Sequence, residues 1–482
     1  KSLGGDKTPL VLSILKGDIE ETKTLIDGKA DIDEKDERGL TPLLWAAKRG
    51  LPAAVKVLLD ANADINAVDK YGCTPLITAV RHHHIGVMNV LLDAKADIDA
   101  VSHKQRHALS WAAETGDVRM MKALLDANAD FEVKDASGRT ALHWTAVKGH
   151  GEAARLLLTA GADVEATDHG GHTALIWAAM NGHTEVLSEL IDFNADVEAQ
   201  VRGRTALGWA ASHGHLDTAK VLIDSGASIE ANTDQDHVTA PIIRALEKDH
   251  VAVTRLLIDA KASLETTGEE TLAHIASGRG HTASLQVLVD AKANIDAHSD
   301  CVTPLFLAAH RSADTSVKVL LDAKADVHTL YSQLDDLPLF GSVIASSSTV
   351  QLLMDAKVDI EGQAHYGRTF LMCAAFDDVP DMANFLIQSK ANIEAKDDNS
   401  FTPLLTALSE NSVNTVKLLL ASNASIAARG VNGEAPLYLA ISRGEIRSVK
   451  ALLEAKADIE EKDDDGNTPL LHAVQYGYNH II

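Results

Sequence analysis

Residues 39–50 read Gly39-Leu40-Thr41-Pro42-Leu43-Leu44-Trp45-Ala46-Ala47-Lys48-Arg49-Gly50. Close copies recur along the chain: CTPLITAV from Cys73, RTALHWTA from Arg139, HTALIWAA from His172, VTPLFLAA from Val302, FTPLLTAL from Phe401 and NTPLLHAV from Asn467. Aligned on the residue that opens each phrase, the copies start at 8, 41, 74, 107, 140, 173, 205, 240, 271, 303, 337, 369, 402, 435 and 468. The early steps and the last three are 33 residues; between 173 and 369 they range from 31 to 35. This gives fourteen full units and a fifteenth cut short. A fixed period overrides the rule that 482 residues make about three domains, because a repeat array grows along one axis without a central core.

One unit explains the others. Thr41 is placed to cap a helix, and Pro42 suits the first helical position, where no amide hydrogen is needed. Nine of the eleven prolines occupy this place, so the assignment is systematic. Leu43, Ala46 and Ala47 follow at helical spacing, with small residues that permit close helix contact. Gly50 ends the helix. A second helix runs from Ala53 to about Asp60. Ala63-Asp64-Ile65-Asn66 then leaves it, and Asp69-Lys70-Tyr71-Gly72 makes a turn. The unit is helix, turn, helix and extended finger, and it buries its apolar face only when stacked.

The TPLHxAA-like phrase, the Gly-His pairs before second helices (Gly149-His150, Gly182-His183, Gly214-His215, Gly280-His281) and the LLDAxADI endings resemble ankyrin repeats over essentially the whole chain. The resemblance implies an all-α solenoid of stacked helix-turn-helix units, curved, with short β-hairpin-like fingers and a concave groove formed by fingers and first helices. It also implies protein binding without catalysis or cofactors. The period suggests three blocks: 1–199 regular, 200–363 irregular and 364–482 regular. The breaks are a missing residue near Gln200-Val201, a longer finger around Thr233–Asp236, the stretch Tyr331–Leu337 and the loop Ser346-Ser347-Ser348.

Two departures carry expectations. Where ankyrin repeats usually place Gly after the second helix, as at Gly161 and Gly226, this chain has Lys29, Lys95, Lys261, Lys292, Lys324, Lys357, Lys390 and Lys456, or Asn62, Asn128, Asn194 and Asn423. In a left-handed conformation Asn is tolerated there, whereas Lys is strained by roughly 1 kcal/mol; a cation also meets the negative helix end favourably. The family's usual Asn in "ADVN" survives as Asn66. Elsewhere a carboxylate mostly replaces it, at Asp33, Asp99, Glu132, Glu165, Glu198, Glu230, Glu265, Asp296, Glu361, Glu394 and Glu460. This row is either a track for cations or a basic ligand, or a source of solubility with nearby lysines compensating; the second is favoured.

Apolar residues are 46% but aromatics only 4%, so Ala, Leu, Ile and Val must make the core. All five tryptophans, Trp45, Trp111, Trp144, Trp177 and Trp209, share one repeat place; packing between first helices is favoured over a ligand-gripping ladder. His82-His83-His84, His103 and His107 could suggest a metal site, but neighbouring helical residues point apart and metal ligands need fixed geometry. His143 and His274 fall at the structural histidine of TPLH. Glu461–Gly466 faintly resembles a calcium loop, yet the twelfth place is His472 rather than Glu. No GxxxxGK, GxSxG or HExxH motif occurs. No metal, cofactor or catalytic residue is expected.

The net charge is −25. That disfavours nucleic acid and anionic membranes as partners of the whole surface. Cys73, Cys301 and Cys373 show no disulfide spacing and suit a reducing, cytoplasmic setting. No apolar run approaches the ~18 residues of a membrane helix.

Charge is uneven, however. The resemblance puts three finger-tip and two first-helix residues per repeat on the concave face. For the second to seventh units these places hold Arg38, Lys48, Arg49, Lys70, Arg81, Lys104, Arg106, Arg139, Lys148, Arg202 and Arg204 against Glu37 and Glu114. His82, His103, His169, His172 and His213 join them. For the last four units the places hold Arg368 and Arg443 against Asp377, Asp398, Glu410, Glu434, Asp464 and Asp465. The expected function is a protein–protein interaction scaffold whose amino-terminal groove takes an acidic segment. Two other readings stay open: a spacer or subunit within a large complex, such as the ankyrin arm of a channel, and a secreted or injected effector.

Overall fold

A computed structural model describes residues 8–230, 240–265, 270–299, 302–327, 346–363, 365–431, 433–463, 466–475 and 477–478. The irregular stretches Thr233–Asp236 and Tyr331–Leu337, together with Cys301, Asp464, Asp465 and Tyr476, lie outside the described residues. Among the described residues there are 28 α-helices, each seven to nine residues long, and one two-stranded ribbon. Helices this short do not persist alone in water, so their stability is tertiary.

The chain divides into two compact units, Lys1–Ala262 and Ser263–Ile482. In the first, eight helix pairs follow one another, from Pro9–Lys16 with Ile19–Asp27 to Pro241–Glu247 with Val251–Asp259. Each first helix packs on its own second helix and on the next first helix, and second helices pack on each other in turn. The second unit repeats the scheme, from Leu272–Arg279 with Thr282–Asp290 to Pro469–Gln475. The core is as the composition requires: Leu43, Ala46, Ala47, Val55 and Leu58 are fully buried, as are most of their counterparts among the described residues of both units.

The local signals act as anticipated. The hydroxyl of Thr41 accepts from the amide of Leu44 at 3.3 Å, and Thr8, Thr74, Thr173, Thr205, Thr271, Thr303 and Thr402 cap their helices likewise. Gly50 closes its helix at φ 68°. A Cβ there would lie 2.5 Å from His84 Nδ1 of the next repeat. That histidine donates through Nε2 to the carbonyl of Lys48 at 3.1 Å. His150, His183, His215 and His250 bind the preceding first helix in the same way. In the second unit the hydroxyls of Ser412 and Tyr478 make the equivalent bonds, to Phe376 and Ser442. The Gly-His signature is thus a lock between repeats.

The residue after the second helix is left-handed: φ is 63° at Lys29, 64° at Lys95, 71° at Lys390 and 68° at Lys456, with Asn62, Asn128, Asn194 and Asn423 at 63–65°. The fingers are hairpin connections reduced to a turn. Asp36 N–H donates to the carbonyl of Leu40 across three residues, the last of them Gly39 at positive φ. The missing residue near 200 alters this: Gln200–Val201 pairs antiparallel with Arg204–Thr205 around a two-residue loop in which Arg202 and Gly203 both have positive φ. Shortening the loop by one residue demands this tighter turn, whose twist suits paired strands. Ser346, in the irregular loop, caps the regular helix Ser347–Asp355.

Candidate functional site

Several finger tips are each held by one aspartate. Asp36 Oδ1 accepts the amides of Arg38 and Leu40, both at 2.8 Å, and Asp36 Oδ2 accepts the indole N–H of Trp45 at 3.1 Å. Asp135 does the same with Trp144, and Asp168 with Trp177. Burial pushes the Asp168 carboxyl up, but the backbone and ring of His172 and the Trp177 indole outweigh it, and the net shift is down. Trp111 and Trp209 lack this partner, because the aspartate's place is taken by Ser102 and Gln200; their indole nitrogens are buried without a hydrogen bond. Successive tips are joined through the backbone: Lys70 N–H to Arg38 O at 3.2 Å, His103 to Tyr71 at 2.9 Å, Ala136 to Lys104 and His169 to Ser137 at 3.0 Å. The tips from Arg38 to His169 therefore form one row.

The tryptophans pack against cations, Trp45 against Lys48 and the other four against arginines. The Arg106 guanidinium lies 3.7 Å from the Trp111 ring centroid and 4.1 Å from that of Trp144. Arg139 lies between Trp144 and Trp177, at 5.3 and 4.4 Å. Arg81 also lies over Trp111, at 4.9 Å, and Arg204 covers Trp209 at 4.2 Å. His172 packs on Trp177, and His213 on Trp209. Cation and aromatic face alternate, an arrangement that gains as water is excluded.

This stack changes the role of one expected contact residue. Arg106 is only 6% exposed, ion-paired to Glu114 at 2.7 Å and donating to the carbonyl of Ser110 at 3.1 Å. It is a framework residue, not a free cation on the groove. Glu114 also meets Lys148 Nζ at 3.6 Å, and Arg139 comes within 4.0 Å of Asp168. Half-buried Lys48, Arg139, His172 and Arg204 present edges, whereas Arg38, Arg49, Lys70, Arg81, His82, Lys104, Lys148, Arg202 and His213 are exposed. Among the described residues, Arg38, Lys48, Arg49, Lys70, Arg81, Lys104 and Arg202 form no ion pair.

The row contains a cavity of about 450 Å³ between the second and third repeats, lined by Arg38, Leu40, Lys48, Asp69, Lys70, Tyr71, Cys73, Thr78, Arg81 and His82. Its cause is a gap in the stack. The tryptophan place of the third repeat is Thr78, and the place that holds Arg106 or Arg139 in later repeats is Cys73. His82 is harder to protonate than usual, first because it is partly desolvated and then because Lys48 and Arg81 lie near it. Burial and Asp69 push the Cys73 thiol up, against a smaller opposite pull from Arg81.

The other sequence signals find structural employment. The acidic row binds the next repeat: Asp33 Oδ1 accepts Asp64 N–H at 3.1 Å, Asp99 accepts Asp130 at 3.0 Å, Glu165 accepts Asp196 and Glu394 accepts Ser425 at 2.7 Å. His107 and His143 are fully buried, each with Nε2 on a backbone carbonyl of the following finger. Among the described residues no group of three His, Cys, Asp or Glu is arranged to hold a metal. In the second unit Arg368 covers Phe376 at 4.5 Å, beside Asp377, whose carboxyl is pushed up by partial burial. Asp398 and Glu410 are exposed, as is Arg443.

No helix among the described residues is long and apolar enough to cross a membrane. No curated protein matches the chain. The family model described as ankyrin repeats (3 copies) matches residues 10–102, 95–168, 165–233, 239–330, 342–430 and 427–482. Such repeats generally mediate protein–protein interaction and are typically not enzymes. With the period, the capped helix pairs and the inter-repeat locks on the same residues, the chain belongs to the ankyrin-repeat family.

Proposed function

We propose that the first unit is a non-catalytic protein-recognition surface whose finger tips and first-helix ends take an acidic segment of a partner protein. The observation that carries this reading is the set of exposed, unpaired cations on that face, Arg38, Arg49, Lys70, Arg81 and Lys104, in a chain of net charge −25. Exposed like charges without counter-ions cost stability through self-repulsion and raise association rates with an opposite charge. Partners are proteins rather than nucleic acid, and the working compartment is cytoplasmic and reducing. The blocks 1–199, 200–363 and 364–482 are proposed as stretches of differing stiffness.

The test is crosslinked capture from the native source with Arg49→Glu, Lys104→Glu and Arg202→Glu combined, against a control carrying Lys56→Glu and Arg119→Glu on the second helices. The face variant should lose at least about tenfold in captured partner, and added salt should weaken wild-type capture. Capture unchanged by the face variant, with crosslinks confined to second helices, would replace recognition by a spacer role.

A further inference from the structure

We propose that the cavity between the second and third repeats is a socket for a phosphate monoester, holding the phosphoryl group of a phosphoserine or phosphothreonine in the acidic segment. The proposal rests on the reading of the finger face given above and names the chemistry of its deepest point.

The cavity exists because the sequence leaves out what fills that space elsewhere. At the tryptophan place the neighbouring repeats carry Trp45 and Trp111, whereas the third carries Thr78, itself buried. Five residues earlier, where Arg106 and Arg139 sit, is Cys73. Two large stacking groups are thus replaced by two small ones. The resulting volume of about 450 Å³ falls within the roughly 300–1,000 Å³ typical of ligand pockets.

Its walls are cationic from both sides. Arg38 and Lys70 come from consecutive finger tips, tied by the Lys70 N–H to Arg38 O bond of 3.2 Å. Lys48 and Arg81 come from the ends of consecutive first helices, Pro42–Arg49 and Pro75–Arg81. None of the four has an ion-pair partner among the described residues. The one carboxylate on the wall, Asp69, already accepts the amides of Tyr71 and Cys73 through Oδ1, at 2.8 and 2.9 Å. Other cations of this unit are neutralised, Arg106 and Lys148 by Glu114 and Arg244 by Glu247, and the unpaired Arg49, Lys104 and Arg202 do not line the cavity.

The charge count selects the ligand. A carboxylate brings one charge and two oxygens. A phosphoryl group brings close to two charges and three acceptor oxygens, enough to meet two guanidinium and two ammonium groups at once. His82, on the same wall, is made harder to protonate first by partial desolvation and then by Lys48 and Arg81, so both cations act at the cavity wall. The strongly negative chain as a whole opposes RNA and anionic membranes, which would have to cover far more surface than the socket.

The experiment compares two labelled heptapeptides, Gly-Glu-Glu-phosphoSer-Glu-Glu-Gly and the same peptide with glutamate at the centre, titrated into the full chain at moderate salt and read by fluorescence anisotropy. The phosphopeptide should bind at least about tenfold more tightly. Thr78→Trp, which restores the side chain of neighbouring repeats and adds no charge, should erase the preference. Lys48→Ala with Arg81→Ala should erase it too, guarding against a misfolded tryptophan variant. Inorganic phosphate should move the His82 ring resonances and raise the pH at which they titrate. Equal binding of both peptides, still lost in the Arg49→Glu, Lys104→Glu, Arg202→Glu variant, overturns the socket and leaves the acidic-segment reading standing. Failure of both peptides, with capture of the native partner unaffected by face variants, overturns both. Tighter binding of an oligonucleotide or of anionic vesicles than of the phosphopeptide also overturns the socket.

Discussion

Glu132 Oε1 accepts the backbone amide of Asp163, thirty-one residues further on, at 2.8 Å. The same bond recurs from Asp33 to Asp64 and from Glu361 to Asn392. The side chain two residues earlier closes a local turn, as Asp130 does with the amide of Glu132 at 2.8 Å and Asn392 with that of Glu394 at 3.0 Å. The carboxylate row is therefore a relay, one side chain shaping its own finger and the next reaching across the interface.

It follows that Glu132→Ala should destabilise the first unit by about 1 kcal/mol, below the roughly 1.5–3 kcal/mol of a hydrogen bond to a charged group because this one is exposed to water. Glu132→Gln, which keeps an acceptor oxygen, should recover most of that. Urea unfolding measures both. An alanine variant as stable as wild type would return the row to a role in solubility.

The left-handed lysines give a prediction of opposite sign. Lys95 and Lys390 are exposed at φ 64° and 71°. Replacing either by Gly relieves about 1 kcal/mol of backbone strain and loses part through the freer unfolded chain and the lost cation at a helix end. A net gain of about 0.5 kcal/mol per site is expected, and the two should add because they are far apart in sequence and lie in different units. A fall in the urea midpoint on either substitution would mean that the lysine side chain outweighs its backbone.

Much of this was open to reading in the sequence because a repeat prints each rule many times. Threonine caps, prolines at the first helical turn and the left-handed lysine place are local, and local rules show at every copy. What stayed hidden depends on what lies opposite. Arg106 looked like a free groove cation, yet Arg and Trp stand five apart at 106/111, 139/144 and 204/209, the spacing of the stack. Asp and Trp stand nine apart at 36/45, 135/144 and 168/177, the spacing of the indole bonds. The cavity was visible only as an interruption, the threonine at 78 in a column of tryptophans. Composition hides an interruption, since it counts what is present.

Arg106 accordingly separates packing from binding. Arg106→Ala removes the group between two indoles and leaves Glu114 with Lys148 as its remaining ion pair. The expected loss is about 2–3 kcal/mol, less than the ~3–5 kcal/mol for breaking a fully buried pair, because Glu114 keeps a partner and some water. Exposed Arg49→Ala should cost under about 0.5 kcal/mol. Denaturant midpoints of the two variants compare them directly, and similar values would mean that the stack contributes little.

Acid should act through buried histidines. His143 Nδ1 accepts the Thr140 amide at 3.2 Å, and its Nε2 donates to the carbonyl of His172 at 3.0 Å, so the neutral ring fills both contacts. His107 is held alike, its Nε2 on the carbonyl of Asp130 at 3.1 Å and its Nδ1 on the Ser110 hydroxyl. Burial lowers the affinity of both rings for a proton from the ordinary value of 6.5, against a smaller upward pull from those carbonyls and nearby carboxylates. The sign is fixed by linkage. Above 6.5 the rings are neutral whether the chain is folded or not, and their contribution does not vary. As pH falls below 6.5 the unfolded chain takes up protons that the folded chain refuses, so stability declines until the lower folded value is reached. The slope is about 1.4 kcal/mol per pH unit for each such ring. His107→Thr replaces one ring by the residue that caps most other repeats, and should flatten the decline below pH 6.5 by up to one proton. Urea midpoints across that range decide the matter: an unchanged slope in the threonine variant would show that His107 is protonated in the folded chain and that its buried hydrogen bonds tolerate the charge.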